Sequence, residues 1–494
     1  MDALKIRYRR HLEISLRCTL MATLAIGLVG LAAHPRSATA GPLVTGVTNI
    51  EEENRVGFAH TVAAGARFVR IPLVWVAIAP YREPAGWQPE DPLDPHYDWS
   101  QIDEAVTQAV AAGLTPVLQL DAAPPWVQGC AAPTFARAKT CEPSPDALAA
   151  FITAAARRYS GKVPGLPRVR YWQALNEPNL SIFFNPQFAG DAPVSPYIYR
   201  NLLNRFYAAV KAVDPSDLVL AAGLGPIAVP GFTIGPMRFA RLLLCMQGHA
   251  HPRPMAGSCE GGAHFDIFAI QPYTTGGPTH EGGVNDVELG DLGKLQTLIA
   301  AADRAGRIHG AYRHTPLWIT EFSWDSNPPD PGGLPMKVES AWVAEALYRA
   351  WRAGVSHFFW YSLRDSAREP GQSYAESLES GLYFRGAAVE QDQPKEFLTA
   401  FRFPFVSYPR RQGLFFWGRT PTSRKGKVAI QLLRGERWHT AARVRANGSG
   451  IFTGRLGSGY GRNRKGRARA VYHGQTSIAF SMRRVGDFRH PPFG

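Results

Sequence analysis

Between residues 41 and 404 the sequence alternates between two hydrophobic periods, and this alternation limits the possible folds more than any other feature. Short runs rich in apolar and β-branched residues at 41–47, 66–71, 115–120, 169–175, 218–222, 265–270, 317–320 and 355–361 read as strands. Between them, 56–64, 102–110, 148–159, 199–213, 292–304 and 338–353 carry apolar residues at helical spacing. Gly113 stops the second of these helices, and Asp214-Pro215 closes the fourth. Eight strands alternating with helices predict an α/β fold, a (β/α)8 TIM barrel. The surplus length falls after strands three, four and six, whose loops sit on the catalytic face of such a barrel.

After residue 404 the helical period disappears. Short strand-like runs at 413–417, 428–432, 440–444 and 476–480 are separated by Gly and Ser, which predicts a small C-terminal β-sandwich domain over 405–494. Trp417 and Trp438 are expected in its core, and the basic, Gly-containing stretch 462–469 is expected to be a loop.

The first forty residues read as a targeting segment. Lys5, Arg7, Arg9, Arg10 and Arg17 precede an apolar run over 18–33, and Ala38-Thr39-Ala40 follows as a small-x-small cleavage site. The run is short for a membrane span. A signal peptide over 1–40 is expected, with a mature chain from Gly41 that is secreted or held at the cell surface and has no transmembrane span. Cysteine usage agrees with export: Cys130, Cys141, Cys245 and Cys259 remain after the segment is lost. Three pairings are possible, and the two short loops Cys130–Cys141 and Cys245–Cys259 are the simplest.

Charge is unevenly spread. The chain carries a formal +14, yet from Phe405 onward 19 Lys and Arg stand against two acids, while the region before it is mildly acidic. A basic tail of this kind suits an anionic cell-surface polymer; a solvated, solubilising surface is the plain alternative, and no nucleic-acid partner is expected.

Two stretches carry the chemistry. Tyr171-Trp172-Gln173-Ala174-Leu175-Asn176-Glu177-Pro178 and Pro316-Leu317-Trp318-Ile319-Thr320-Glu321-Phe322 are apolar strands that each end on a carboxylate as a loop begins. A carboxylate beside an apolar run is costly unless it is paired or poised for reaction. Two such acids at strand C-termini of one barrel are the equipment for cleaving a glycosidic bond.

With Asn176-Glu177 ending strand four and Glu321 ending strand seven, the chain resembles the retaining glycoside hydrolases of clan A, nearest in flavour to families 39 and 5, over residues 41–400. The resemblance implies that Glu177 is the acid/base and Glu321 the nucleophile. It also implies that Arg70 supports the nucleophile, Tyr273 hydrogen-bonds it, and Trp360 forms the floor under the bound sugar. Those families often carry His-x-Tyr before the tyrosine, whereas this chain has Gln271-Pro272-Tyr273. Glutamine does not titrate near neutral pH, so a proton relay there is not expected, although its amide can bond a sugar hydroxyl. Asn176 is expected to bond the 2-hydroxyl of the sugar.

Trp126 is a candidate for stacking a sugar ring, or equally a core residue sealing the barrel top. Phe183 and Phe184 line a leaving-group site or anchor their loop; Trp75 and Trp99 are packing residues; Asp121 touches a hydroxyl or caps its loop. Asn179-Leu180-Ser181 and Asn447-Gly448-Ser449 are glycosylation sequons. The histidines show no metal spacing and no phosphate or dinucleotide loop appears, so neither metal nor cofactor is expected. The expected protein is an exported retaining glycosidase (O-glycosyl hydrolase) acting on a polysaccharide or oligosaccharide. A transglycosylase and a non-catalytic carbohydrate-binding protein on the same scaffold are the alternatives.

Overall fold

In the computed structural model the eight expected strands close into one all-parallel barrel. They are β1 Val44–Thr48, β2 Phe68–Val74, β3 Thr115–Asp121, β4 Tyr171–Ala174, β5 Leu218–Leu224, β6 Ile267–Ile270, β7 Leu317–Ile319 and β8 Val355–Tyr361. Each pairs with its sequence neighbours, and β1 closes the ring against β8. Residues 41–490 are described except 49, 51–53, 131–139, 258–260, 370, 375–376, 461–465, 483–485 and 487. The expected signal segment, 1–40, lies outside the described residues.

A packing helix follows each strand, with one further turn, Trp75–Ile78, directly after β2: α1 Arg55–Ala63, α2 Ser100–Ala111, α3 Pro145–Arg158, α4 Ser195–Val213, α5 Pro236–Leu243, α6 Leu292–Arg304, α7 Met336–Arg352 and α8 Leu398–Arg402. The Asn54 side chain caps α1 by accepting from the amides of Val56 and Gly57. Ser144 caps α3 in the same way, with Pro145 at the first helical position. The short α5 and α8 carry no signal in the sequence reading. The longest loop, 362–397, follows β8, where no surplus was expected.

Alternation along the strands splits the core in two. Inward residues Phe68, Val117, Leu218, Leu220, Ile267, Trp318 and Phe359 fill the barrel itself. The indole of Trp318 stacks on the ring of His357 with centroids 3.7 Å apart. Burial pushes the His357 imidazole down to about 3, so it stays neutral inside the barrel. Outside the barrel, Trp75 just after β2 and Trp99 just before α2 both stack on Phe151 of α3, as packing residues should.

Gly46 is a tight point of this filling, because a Cβ there would lie 2.5 Å from the ring of Phe359. Gly46→Val is expected to destabilise the fold by about 1–3 kcal/mol, the usual cost of overpacking. A lower urea midpoint with an unchanged slope would register it.

The C-terminal residues form two antiparallel sheets. One holds β9 Phe405–Arg410, β10 Gly413–Arg419 and β13 Ile451–Leu456. The other holds β11 Gly426–Arg434, β12 Arg437–Ala446, β14 Arg467–Tyr472 and β15 Gln475–Thr476, with β16 Phe480–Ser481 paired to β14. Trp417 is fully buried, its ring against Tyr348 and Trp351 of α7. The buried Arg419 donates to the carbonyls of Leu43 and Phe401 and to Thr45 Oγ1, each at 3.1 Å, tying β10 to the start of β1. Burial pushes its guanidinium down to about 10, so it remains charged at neutral pH.

Three expectations change here. Trp438 is only half-buried and does not belong to the sandwich core. The stretch expected as a loop over 462–469 enters strand β14 at Arg467, while 461–465 lies outside the described residues. The strand expected over 476–480 is two short pieces interrupted at 477–479. Cys130 and Cys141 form the expected disulfide. Cys245 is disulfide-bonded as well, and its expected partner, Cys259, lies outside the described residues. Among the described residues no helix is long and apolar enough to cross a membrane.

Candidate active site

The same alternation selects which side chains reach the C-terminal mouth of the barrel. On β2, Phe68 points inward, so Arg70 does too; on β4, Tyr171 points inward, so Gln173 follows. Arg70 meets Gln173 together with Glu321, just past β7, and Asn176, just past β4.

Arg70 is 3% exposed and uses its whole guanidinium fork on protein acceptors. Nη1 donates to Glu321 Oε1 at 2.6 Å, Nε to Gln173 Oε1 at 2.9 Å, and Nη2 to Asn176 Oδ1 at 2.6 Å. The other carboxylate oxygen of Glu321 accepts from the Tyr273 hydroxyl at 3.1 Å. Asn176 Oδ1 accepts a second bond, from Gln271 Nε2 at 2.8 Å. Two donors on one oxygen fix the orientation of the Asn176 amide and leave its Nδ2 as a donor for a ligand.

Glu177 is held differently. Leu175 and Glu177 both have left-handed backbone, φ +65° and +40°, a conformation that costs of order 1 kcal/mol for such residues. The Glu177 amide donates to the carbonyl of Gly223, and its carbonyl accepts from Leu180 N. Gly225 leaves room for the carboxyl, since a Cβ there would lie 2.9 Å from Glu177 Oε1 and 2.8 Å from Leu180 Cδ1. Asn179 staples this loop to the one after β5: its Nδ2 donates to the carbonyls of Gly225 and Ile234, and its Oδ1 accepts from Gly225 N.

Electrostatics ties the two acids together. Burial raises the Tyr273 phenol well above its ordinary value, and the charges of Glu321, Tyr361 and Glu177 push it the same way. The Tyr273 hydroxyl therefore stays protonated and keeps donating to Glu321. Burial also raises the Glu321 carboxyl, against the lowering pull of Arg70 and of the Tyr273 hydrogen bond. The Tyr273 ring is stacked on Phe322, and Phe322 meets Trp324 edge-on at 4.6 Å.

The charged form of Glu321 loses a hydrogen bond in Tyr273→Phe. With Glu321 as the group that must be ionised, the acid limb of kcat/KM is expected above the ordinary glutamate value of 4.5 and should move further up in pH in this variant. The rate at neutral pH should fall about 10- to 100-fold, the worth of one hydrogen bond to a charged group. A pH–rate profile of the two proteins checks both.

Among the expected site residues, Arg70, Asn176, Gln271, Tyr273 and Glu321 form one hydrogen-bonded network, and Glu177 stands beside it. Trp360 is a correction. Phe359 points into the barrel, so Trp360 points out; its indole donates to the Ser380 carbonyl at 2.7 Å and packs on Phe397 and Phe401. It is fully buried and offers a sugar no surface. The next residue, Tyr361, has the inward parity and is partly exposed. Gln271 is also fully buried and serves Asn176 rather than presenting its amide to a ligand.

Trp126 is half-buried; its indole donates to the Pro80 carbonyl at 2.9 Å and its ring meets Trp87 edge-on. Phe184 is buried against Tyr199. Asp121 Oδ1 accepts from the Ala122 amide and so caps its loop. The sequon at Asn179 cannot carry a glycan in the folded chain, because that side chain is buried and fully bonded. Gln173, Asn179 and Tyr361 were missed, although Gln173 shows as a lone polar residue in an apolar strand. Among the described residues no cluster of three His, Cys, Asp or Glu is placed to hold a metal ion.

The sequence matches no protein-family model and no curated protein. Solved structures do match. A family 39 glycoside hydrolase from the gut symbiont Bacteroides cellulosilyticus WH2 aligns over 84% of this chain and 80% of its own, at 15% identity and a TM-score of 0.51. A glucosidase from Croceicoccus marinus aligns over 81% and 89%, at 11% identity and a TM-score of 0.45. An endo-β-1,4-mannanase from Thermotoga petrophila aligns over 89% and 97%, at 12% identity and a TM-score of 0.40. The first of these shows a shared fold.

Proposed function

We propose that this protein is an exported retaining glycoside hydrolase that cleaves β-glycosidic bonds in a polysaccharide or oligosaccharide. Glu321 is the nucleophile and Glu177 the acid/base. The observation that carries the reading is a buried Glu321 carboxyl clamped by Arg70 and the Tyr273 hydroxyl just past β7, with a second buried acid, Glu177, just past β4. The resemblance of Asn176-Glu177 and Glu321 to clan A supports the same roles, and the family 39 neighbour shares the barrel.

In the first step a Glu321 oxygen attacks the anomeric carbon while Glu177 gives its proton to the leaving oxygen, forming a glycosyl ester and a free alcohol. Ester formation removes the charge of Glu321. Glu177, now a carboxylate, takes a proton from water as that water attacks the anomeric carbon from the opposite side. The sugar leaves with its configuration retained, and both acids return to their starting states. Arg70 and Tyr273 hold Glu321 in position, and Asn176 Nδ2 meets the 2-hydroxyl. Tyr361 takes the place under the sugar that Trp360 was expected to fill, and Trp126 stacks a more distant ring. A sugar replacing water in the second step gives transglycosylation from the same intermediate.

We assign residues 1–40 to export and 405–494 to contact with an anionic cell-surface polymer, on the patterning of cations and apolar residues in each. Hydrolysis of a panel of aryl β-glycosides and wall polysaccharides tests the function. Release of product by the wild type supports it. Binding of a glycan with no cleavage of any substrate would favour the carbohydrate-binding alternative.

A further inference from the structure

The outward face of the second C-terminal sheet concentrates cations in a way that its folding does not require. On β11, Val428, Ile430 and Leu432 are buried, so Lys427, Ala429, Gln431 and Leu433 face out. Residues directly opposite in an antiparallel pair share a face. The register therefore puts Arg445 beside Lys427, Arg443 beside Ala429 and Trp438 beside Leu433 on β12. On β14 it puts Arg469 beside Gln431, with Arg467 two residues earlier on the same face.

Five cations thus share one surface: Lys427, Arg443, Arg445, Arg467 and Arg469. The only acids after Phe405 are Glu436, in the turn between β11 and β12, and Asp487, which lies outside the described residues. Lys427 and Arg445 are directly opposed like charges, an arrangement that weakens strand pairing. Arg469 is fixed in place, its Nε on Gln431 Oε1 at 2.8 Å and its guanidinium 4.2 Å above the ring of Trp438. A surface serving only solubility would mix both signs.

We propose that this face docks an acidic polysaccharide, a linear glycan bearing carboxylate or sulfate groups. Along β12 the side chains of Arg443 and Arg445 are about 7 Å apart, and neighbouring strands are about 5 Å apart, a grid that meets anionic groups along an extended chain. Single-stranded nucleic acid needs exposed rings on which bases stack. Here Trp438 is the one outward aromatic of the three strands, and Arg469 covers one of its faces. The choice of a glycan rests on the glycosidase reading: a face that holds the polymer raises its effective concentration at the barrel.

The test uses the full-length protein and reads binding separately from cleavage. Affinities for polygalacturonate, dextran sulfate, neutral dextran and poly(A) are measured at low and high salt. Arg443→Ala/Arg445→Ala/Arg467→Ala is compared with Arg253→Ala/Arg304→Ala/Arg313→Ala, which removes the same charge from exposed barrel positions. The wild type is expected to bind one or both acidic polysaccharides, not dextran, and to release them at high salt. The face variant should bind at least tenfold more weakly while its kcat/KM on a small aryl glycoside is unchanged, and the barrel variant should bind like the wild type. Equal weakening in both variants, tighter binding of poly(A) than of either acidic polysaccharide, or no polyanion binding at low salt would each overturn the proposal. A wild type that cleaves nothing yet binds through these arginines would sink the glycosidase reading and leave the docking face standing.

Discussion

Glu321→Gln is expected to lower kcat by about 10⁴-fold or more on every β-glycoside the wild type cleaves, because an amide cannot form the glycosyl ester. Glutamine is the informative replacement. Glu321 is buried and bonded to Arg70 Nη1 and the Tyr273 hydroxyl, and an amide keeps a carbonyl oxygen for one of these donors. Alanine would leave the Arg70 charge buried without its partner, which typically costs about 3–5 kcal/mol and would confuse lost chemistry with lost folding. With glutamine, the thermal midpoint should stay close to that of the wild type while turnover collapses. Retained turnover in a folded variant would show that the nucleophile lies elsewhere.

The second large effect belongs to Glu177. Glu177→Ala is expected to reduce kcat/KM by about 10²- to 10⁴-fold on substrates with poor leaving groups, the usual worth of general acid catalysis. Aryl glycosides that leave without a proton should lose far less in the first step. Their glycosyl-enzyme then accumulates, since no base remains to activate water. Azide needs no such base, so it should restore turnover and yield a β-glycosyl azide. Alanine is the informative replacement here because it removes the proton donor and leaves room for azide where the carboxyl stood. An α-glycosyl azide, or no rescue at all, would contradict the assigned role.

Much of this was legible because strand ends and periodicity are local properties. Apolar strands closing on Asn176-Glu177 and on Glu321 place both acids at the barrel mouth, while Arg70 came from the resemblance to clan A. What escaped depends on facts the sequence hides. Trp360 and Tyr361 are adjacent aromatics, and only the inward setting of Phe359 decides which one faces the site. Helix α5 has only eight residues, about two turns, too few for a helical period to repeat, and its buried face includes Arg241, bonded to Asn285. Strand β14 buries Ala468 and Ala470 between arginines, side chains too small to raise the hydrophobic signal of a basic stretch. Asn179 read as a glycan acceptor because its three backbone partners come from a loop more than forty residues away.

One measurement addresses the central claim most directly: mass spectrometry of the wild type after incubation with a panel of 2-deoxy-2-fluoro-β-glycosyl fluorides. The fluorine at C2 slows breakdown of the ester more than it prevents its formation, so a covalent intermediate survives long enough to be digested and mapped. A single glycosyl adduct on the peptide containing Glu321 is the predicted result, absent from Glu321→Gln. An adduct mapped to any other residue, or hydrolysis of natural substrate that inverts the anomeric centre with no adduct formed, would contradict it.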